Sequence, residues 1–365
     1  MKGGTSRVSD IAALSARDDV VVYLNGAFVP GSAARVGIMT HAISYGTGVF
    51  EGIRGYWNPE QEEVFIFRAR EHFERMHQSC RIMCMDLPYA VDDLVEIAVE
   101  LVRRNHYREN VYLRPFAYKS DEIIGVRLHD LHDHFTMYCV PQGDYVPTTG
   151  LRCGVSSWRR VDDNMIPARA KISGAYVNSA LAKTEAQRNG FDEAIMLSSE
   201  GHVSEGSAEN IFLLIGGELF TPPPSENILD GITRRTIMRL AKDELGMPVR
   251  ERVIDRTELY VAQEILLTGT GAQIAPVIAV DHRPVGAGKI GPVAGKLQRL
   301  YADVVRGRHP EYGEWLRPYY ASAHAETALA PHPATNGHAG NGHDGHNGHS
   351  KNGHTRAPRA ATKSR

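Results

Sequence analysis

The stretch Asn164-Met165-Ile166-Pro167-Ala168-Arg169-Ala170-Lys171-Ile172-Ser173-Gly174-Ala175-Tyr176 leads, through a helical pattern and a strand, to Val203-Ser204-Glu205-Gly206-Ser207-Ala208-Glu209-Asn210. Lys171 ends an extended segment that begins after Pro167, and small residues stand directly behind it at the start of the helical pattern. A lysine in this position can contact a flat ligand directly. Helical spacing then places four residues on one face, namely Val177, Ala180, Leu181 and Thr184, and Gly190 ends the helix. Residues 191–197 are typical of a buried strand.

A lysine and a carboxylate at these positions suit one kind of chemistry. An aldehyde cofactor with a basic ring nitrogen needs a lysine that bonds its aldehyde carbon and a carboxylate that keeps the ring nitrogen protonated. Lys171 and Glu205 fit these two roles. Taken singly, a lysine is more often a solvated surface residue and a glutamate more often part of a turn. The combination is therefore more informative than either residue.

Four motifs together resemble a known family. They are the run around Lys171, Ser204-Glu205-Gly206-x-x-Glu209-Asn210, Gly231-Ile232-Thr233-Arg234 and Thr268-Gly269-Thr270. They resemble the class IV, fold-type IV pyridoxal-phosphate aminotransferases, and among these most closely the branched-chain amino acid aminotransferases. The resemblance extends from about Tyr23 to about Leu316, with the motifs in the family's order.

The resemblance implies an α/β fold in which an α+β small domain precedes a larger α/β domain that binds pyridoxal 5'-phosphate. We predict an N-terminal extension at 1–19, the small domain at 20–139, an interdomain linker at 140–150, the large domain at 151–320 and a disordered tail rich in His, Gly and Asn at 321–365. The implied reaction is reversible transfer of the amino group of L-leucine, L-isoleucine or L-valine to 2-oxoglutarate. The implied assembly is a homodimer or a higher homo-oligomer.

The resemblance also assigns residues to the cofactor. Lys171 is the catalytic lysine and bonds the aldehyde, Glu205 holds the ring nitrogen, and Tyr176 donates to the phenolic oxygen. By the same resemblance, the phosphate group is bound by Arg68, Ile232, Thr233 and Thr270. Arginine offers a fixed fork of donors, and exposed amides at a helix N-terminus bind anions. Neither feature is specific alone, because most helix N-termini bind no phosphate.

Substrate residues follow from the same likeness. The glycine-rich stretch His41–Tyr56 contains a motif of the family, Tyr-Gly-x-x-Val-Phe-Glu-Gly-Ile-Arg. By that likeness the pocket is lined by Phe50, Gly52, Tyr112, Arg114, Tyr145, Thr270 and Gly271, and Tyr45 and Val126 enter it from the neighbouring subunit. Arg114 would reach the side-chain carboxylate of glutamate, and an arginine among apolar neighbours usually binds an anion. Gln142 stands where the enteric-type enzyme has tryptophan, which alters the expected pocket wall.

Composition excludes several other classes of protein. The 365 residues carry a formal net charge of -2, without the basic excess that a nucleic-acid partner requires. No apolar run reaches the length of a membrane span. The four cysteines match neither a zinc spacing nor a disulfide framework, so we expect free thiols, no metal site and a cytoplasmic location.

Local patterns predict individual elements. Asn25-Gly26 between two apolar runs predicts a hairpin. Apolar residues at helical spacing predict one helix through Phe73 and Met76 and a second through Leu94 and Ala98. Alternation predicts a strand at 111–116, and further strands are expected at 65–67, 134–140, 210–215 and 264–267.

Two alternatives remain open from the sequence. The first is another enzyme of the same fold: a D-amino acid transaminase, an (R)-amine transaminase or an aminodeoxychorismate lyase. The D-amino acid enzymes carry Arg-x-His where this chain reads Arg114-Pro115-Phe116, which counts against them. The second is a catalytically silent protein with a metal-sensing histidine tail, which would lack the yellow colour of a lysine-bound cofactor.

Overall fold

The computed structural model describes residues 17–143 and 150–320 and contains two β-sheets. The first consists of β1 (Val21–Leu24), β2 (Ala27–Pro30), β3 (Gly48–Phe50), β4 (Ile53–Asn58), β5 (Glu63–Phe67), β6 (Val111–Lys119), β7 (Asp133–Pro141) and β17 (Leu316–Pro318). Their order is β17-β5-β4-β6-β7-β1-β2, and β3 pairs with β6. These pairings are antiparallel.

The second sheet is mixed. It consists of β8 (Leu151–Val155), β9 (Glu193–Leu197), β10 (Val203–Gly206), β11 (Asn210–Ile215), β12 (Glu218–Thr221), β13 (Val249–Glu251), β14 (Glu264–Gly269), β15 (Gln273–Val280) and β16 (Arg283–Pro284). Their order is β10-β9-β8-β15-β14-β11-β12-β13, with β16 on β15. Strand β8 runs parallel to both of its neighbours.

Six α-helices accompany the sheets in the described part of the chain. They are α1 (His41–Tyr45), α2 (Ala69–Ile82), α3 (Val91–Arg104), α4 (Tyr176–Arg188), α5 (Ile232–Leu245) and α6 (Pro292–Val305). The mixture of helices with two sheets confirms the predicted α/β class. Among these elements, no helix combines the length and apolar character needed to cross a membrane.

The predicted hairpin is present for the predicted reason. Asn25 and Gly26 connect β1 to β2 with φ of 46° and 94°. Positive φ at both central residues gives the turn the twist of the flanking strands, and Asn and Gly tolerate it best.

The core forms where apolar faces of the helices meet the sheets. Helices α2 and α3 bury Phe73, Met76, Leu94 and Ala98 in one cluster with residues of the first sheet such as Ile53. A second cluster joins α5 and α6 to the second sheet and includes Tyr56 and Phe67 from the first. Both sheets belong to one compact unit.

The last strand crosses the predicted domain division. Strand β17 falls within the predicted large domain but pairs with β5 of the first sheet. The remaining strands of the two sheets divide between Pro141 and Leu151. The domain boundaries themselves stay predictions. Residues 1–16, 144–149 and 321–365 lie outside the described residues. They include most of the N-terminal extension, most of the linker and the tail.

In helix α4 the buried side is not the face on which helical spacing groups four residues. The residues grouped by spacing, Val177, Ala180, Leu181 and Thr184, do not form the buried side, and both Val177 and Leu181 are exposed. The buried residues of α4 are Ser179, Ala182 and Ala186. Small side chains bring this helix close to β9, where Ala194 and Met196 complete the cluster. Small buried residues leave little hydrophobic signal, so the larger exposed ones dominated the pattern.

Candidate active site

Lys171 sits where two backbone segments cross. Its carbonyl accepts from the Phe50 N–H at 3.0 Å, and its own N–H donates to Ser79 Oγ of α2 at 3.2 Å. Just beyond it, a Cβ on Gly46 would lie 2.7 Å from the Gly174 Cα, and Gly46 has a φ of +66°. Small residues follow Lys171 because the chain passes here without room for side chains.

The Lys171 amine lies among aromatic groups. Its Nζ donates to the Tyr176 hydroxyl at 2.8 Å. The Phe50 and Tyr176 ring centroids are 4.8 Å apart, and Nζ is 5.2 Å from the centre of the Phe50 ring. Tyr176 is the first residue of α4, so the helix start sets the direction of its ring. The arrangement presents a partly buried amine beside flat apolar walls.

Arg114, in β6, lies near the same Phe50 ring that is close to the Lys171 amine. Arg114 Nη2 donates to the Tyr112 hydroxyl at 2.8 Å, and the guanidinium carbon lies 4.4 Å from the centre of the Phe50 ring. Arg114 Nε is buried and has no hydrogen-bond partner in the described part of the chain. Burial raises the pKa of Tyr112, although Arg114 acts in the opposite direction. A half-buried arginine whose Nε–H is buried and unpaired suits an anionic ligand.

Gly52 leaves room for Tyr112. A Cβ at Gly52 would lie 2.2 Å from the Tyr112 hydroxyl oxygen. Any larger residue would therefore push Tyr112 away from Arg114.

The acid of the site is in β10. Glu205 is buried and accepts hydrogen bonds from Asn210 Nδ2 at 3.1 Å and the Leu229 N–H at 3.2 Å. Arg160 Nη2 lies 2.9 Å from its other oxygen. Burial raises the pKa of Glu205 above its ordinary value, and Arg160, the Leu229 N–H and Lys171 only partly offset this effect.

A candidate anion site lies at the start of α5, close to the acid. Ile232 and Thr233 open the helix after Gly231, and the first backbone amides of a helix have no partner within it. Arg68 Nη1 donates to Thr236 Oγ1 at 2.8 Å and to the Ile232 carbonyl at 3.3 Å. The positive end of the helix and the guanidinium therefore lie together, which favours a phosphate group.

The turn after β14 carries two further predicted residues. Thr270 and Gly271 follow β14, whose Thr268 is paired with Asn210 at the start of β11. Thr268 Oγ1 is buried without a hydrogen-bond partner in the described ranges. The pairing brings this turn to the strand end beside Glu205.

Comparison with known proteins agrees with this geometry. Residues 48–280 match the sequence profile of the family described as Amino-transferase class IV. The chain belongs to the class IV aminotransferases. The resemblance based on the four motifs is thereby confirmed.

Named relatives of this class IV aminotransferase share most of its length. A probable branched-chain-amino-acid aminotransferase of Aquifex aeolicus (strain VF5) is 48% identical over 299 residues, which cover 82% of this chain and 96% of that protein. The crystal structure of the branched-chain aminotransferase of Thermoproteus uzoniensis with norvaline has a TM-score of 0.79 at 42% identity and covers 82% of this chain and 99% of its own.

A second solved structure is of a form that holds the cofactor. The branched-chain amino acid aminotransferase of Thermobaculum terrenum in its PLP-form has a TM-score of 0.79 at 37% identity. The match covers 82% of this chain and 98% of that one.

This class IV aminotransferase also contains a buried ionic cluster that sequence reasoning missed. Glu51 accepts from Arg75 Nε and Nη2, both at 2.7 Å, and His72 Nδ1 lies 2.8 Å from the same carboxylate. Arg75 Nη1 donates to the Asp230 carbonyl at 3.0 Å, two residues before Ile232. The cluster thus links the strand of Phe50 to the start of α5.

The three side chains shift one another's pKa. Burial alone would raise the pKa of Glu51, but Arg75 and His72 outweigh burial and the pKa lies well below its ordinary value. Burial lowers the pKa of His72, and Glu51 only partly opposes this. A sequence signal existed, because Glu51 lies inside the quoted motif and the other two are three apart on α2, beside core positions.

Of the predicted substrate residues, two lie apart from Lys171 and a third lies outside the described residues. Tyr45 accepts from the Gly125 N–H at 3.1 Å, and Val126 is 88% exposed. Neither contributes a hydrogen bond or ring contact to Lys171 in the described chain. Tyr145 lies outside the described residues.

Proposed function

We propose that this class IV aminotransferase uses pyridoxal 5'-phosphate to transfer amino groups reversibly between branched-chain L-amino acids and 2-oxoglutarate. The observation that carries the proposal is the Lys171 amine between Phe50 and Tyr176, in one site with buried Glu205 and the start of α5. The named relatives and solved structures support the substrate class.

The donor set fits this cofactor. Glu205 suits a protonated ring nitrogen, Tyr176 suits a phenolate oxygen, and Ile232, Thr233, Thr270 and Arg68 suit a phosphate group. When bound, pyridoxal phosphate supplies an electron-accepting ring and an aldehyde carbon that exchanges amino groups.

Lys171 acts as the base and acid of the reaction. With the cofactor bound, its amine would remove the proton from the substrate Cα and later give that proton back. Tyr176, whose hydroxyl lies 2.8 Å from Nζ, orients the amine.

Arg114 and its aromatic neighbours explain how one pocket serves two substrates. The Phe50 and Tyr112 rings offer apolar contact to a branched hydrocarbon, while Arg114 offers N–H donors to a glutamate carboxylate. Thr270 and Gly271 bind the α-carboxylate at the other end of the substrate. The described residues contain no acidic partner of Arg114 that the glutamate would have to displace.

We also propose a homodimer in which Tyr45 and Val126 complete the partner's pocket. Two segments expose large apolar side chains in one chain, namely Val36, Ile38, Met39, Ile43, Ile124 and Val126. The segments are joined, because His41 N–H donates to the Asp121 carbonyl at 2.8 Å and His41 Nε2 lies 2.8 Å from the Gly125 carbonyl oxygen. An apolar surface of this kind is typical of an oligomer interface.

A cytoplasmic location completes the proposal. The four cysteines are free, and Cys80, Cys139 and Cys153 are buried. Burial raises the pKa of each of these three thiols, which keeps them unreactive.

Absorbance spectra and paired substrates test the function. The purified protein with pyridoxal phosphate should be yellow, and L-leucine should change its spectrum and yield glutamate from 2-oxoglutarate. Turnover of D-leucine but not L-leucine would assign the chain to a D-amino acid transaminase instead. A protein that stays colourless after reconstitution would refute the cofactor.

A further inference from the structure

The segment between β8 and Lys171 supplies a cation to the acid of the site. Arg160 and Glu205 form an ion pair of 2.9 Å, and their side chains are only 11% and 5% exposed. Arg160 Nη2 contacts Oε1 of Glu205, while Asn210 Nδ2 and the Leu229 N–H donate to Oε2 of Glu205. Both oxygens therefore accept from N–H donors, which suits a carboxylate and leaves a carboxylic O–H no acceptor among these groups.

Arg160 is itself held in place. Its backbone N–H donates to the Leu197 carbonyl at 2.8 Å, at the end of β9. Its Nε donates to the Asn227 carbonyl at 3.2 Å, and Asn227 Nδ2 donates to Asp162 Oδ1 at 2.7 Å. The guanidinium is thus fixed between β9 and the segment that leads to Leu229.

We infer that Arg160 is a positioning residue that keeps Glu205 ionised, so that the proton between Glu205 and the ring nitrogen of bound pyridoxal phosphate stays on the nitrogen. The inference rests on the proposed function, because it concerns the same cofactor. Burial favours the neutral acid, whereas a cation in contact favours the carboxylate. A less basic carboxylate leaves the shared proton on its partner.

The chain offers a matched control beside Arg160. Arg159 is exposed, and its Nη1 donates to the Ser198 carbonyl at 3.3 Å. Arg159→Gln removes the same charge one residue away, from a side chain that does not contact Glu205 in the described structure. Arg160→Gln removes the cation, and Arg160→Lys keeps it.

The decisive measurement is the ¹⁵N chemical shift of pyridoxal phosphate labelled at the ring nitrogen and bound to the full-length enzyme. We expect a protonated position in the wild type, R159Q and R160K, and movement towards the unprotonated position in R160Q. An unprotonated nitrogen in the wild type, an unmoved resonance in R160Q, or the same movement in R160Q and R160K would each overturn the inference.

A second comparison applies if R160Q does not fold. R160Q/E205Q removes both members of the pair and leaves no uncompensated buried carboxylate. Recovery of folding in the double variant supports the pairing, and failure of both variants to fold overturns it. The proposed function fails separately, if the wild type retains no labelled cofactor at all.

Discussion

At the scale of single residues, the proposal depends most on Lys171. Lys171→Ala should lower the rate of leucine transamination by a factor of at least about 100, because the amine that moves the Cα proton is lost. Lys289→Ala is the control, since Lys289 lies outside the site, in the turn before α6. Steady-state rates with L-leucine and 2-oxoglutarate measure the effect, and near wild-type activity in Lys171→Ala would refute the assignment.

Arg114 should matter more for glutamate than for leucine. Arg114→Ala should reduce kcat/KM for glutamate roughly tenfold or more, because a charge-assisted hydrogen bond to the side-chain carboxylate is lost. The loss with leucine should be clearly smaller, since its side chain needs only the apolar walls. The ratio of kcat/KM for glutamate and leucine is the measurement. An unchanged ratio would remove the selectivity role of Arg114.

At the scale of elements, the start of α5 is coupled to the acid of β10. A Cβ at Gly231 would lie 2.0 Å from Asn210 Oδ1, and Asn210 donates to Glu205. Asn210 is buried and also donates to the Leu229 carbonyl, so it cannot turn away without losing a bond. One residue change should therefore disturb the phosphate end and the ring-nitrogen end of the site together.

Gly231→Ala should weaken the affinity for pyridoxal phosphate by about tenfold, equivalent to the loss of one or two hydrogen bonds. Gly313→Ala is a matched control, because a Cβ there meets no atom within 4 Å. Fluorescence titration of the apoenzymes with cofactor provides the comparison. Equal affinities in both variants would contradict the proposed coupling.

Elements with strong local signals were predictable. The hairpin at Asn25-Gly26 and the strands β6, β11 and β14 follow from turn chemistry and apolar alternation, and the structure contains them. Helix α4 was predicted as a helix, but its buried side was not, because Ala182 and Ala186 give little hydrophobic signal. Packing against β9 decided which side faces the core.

At the scale of the whole molecule, His72 should influence acid stability. Its pKa is lowered in the folded state, so below about pH 6.5 the unfolded chain binds a proton that the folded chain does not. Stability is therefore present above that pH and is lost as the pH falls, by up to about 1.4 kcal/mol per pH unit.

His72→Asn should retain a donor to Glu51 but lose the titration. We expect a smaller fall of Tm between pH 7 and pH 5 than in the wild type. His129→Asn, at an exposed position, should leave the wild-type fall unchanged. Thermal unfolding across this range tests the expectation, and parallel curves for all three proteins would exclude His72 as the cause.

The apolar surface of the 36–45 and 121–126 segments should mediate assembly. Ile124, which is 88% exposed, is a suitable probe, and Val261, 72% exposed on another part of the chain, is its control. Ile124→Asp should shift the protein towards monomer and reduce activity, because a charge is desolvated at the interface. Light scattering after size exclusion measures the mass. A dimer in Ile124→Asp would place the interface elsewhere.

The sequence alone determined the family, the α/β class and the motifs that contain Lys171, Glu205 and the start of α5, because these depend on short patterns and local backbone chemistry. The tertiary structure decided which distant charges meet. Arg160 reaches Glu205 from a separate segment of the chain, and Arg75 joins Glu51 to Asp230. Sequence spacing does not predict such pairs, because only the packing of strands and helices brings the two side chains within hydrogen-bonding distance.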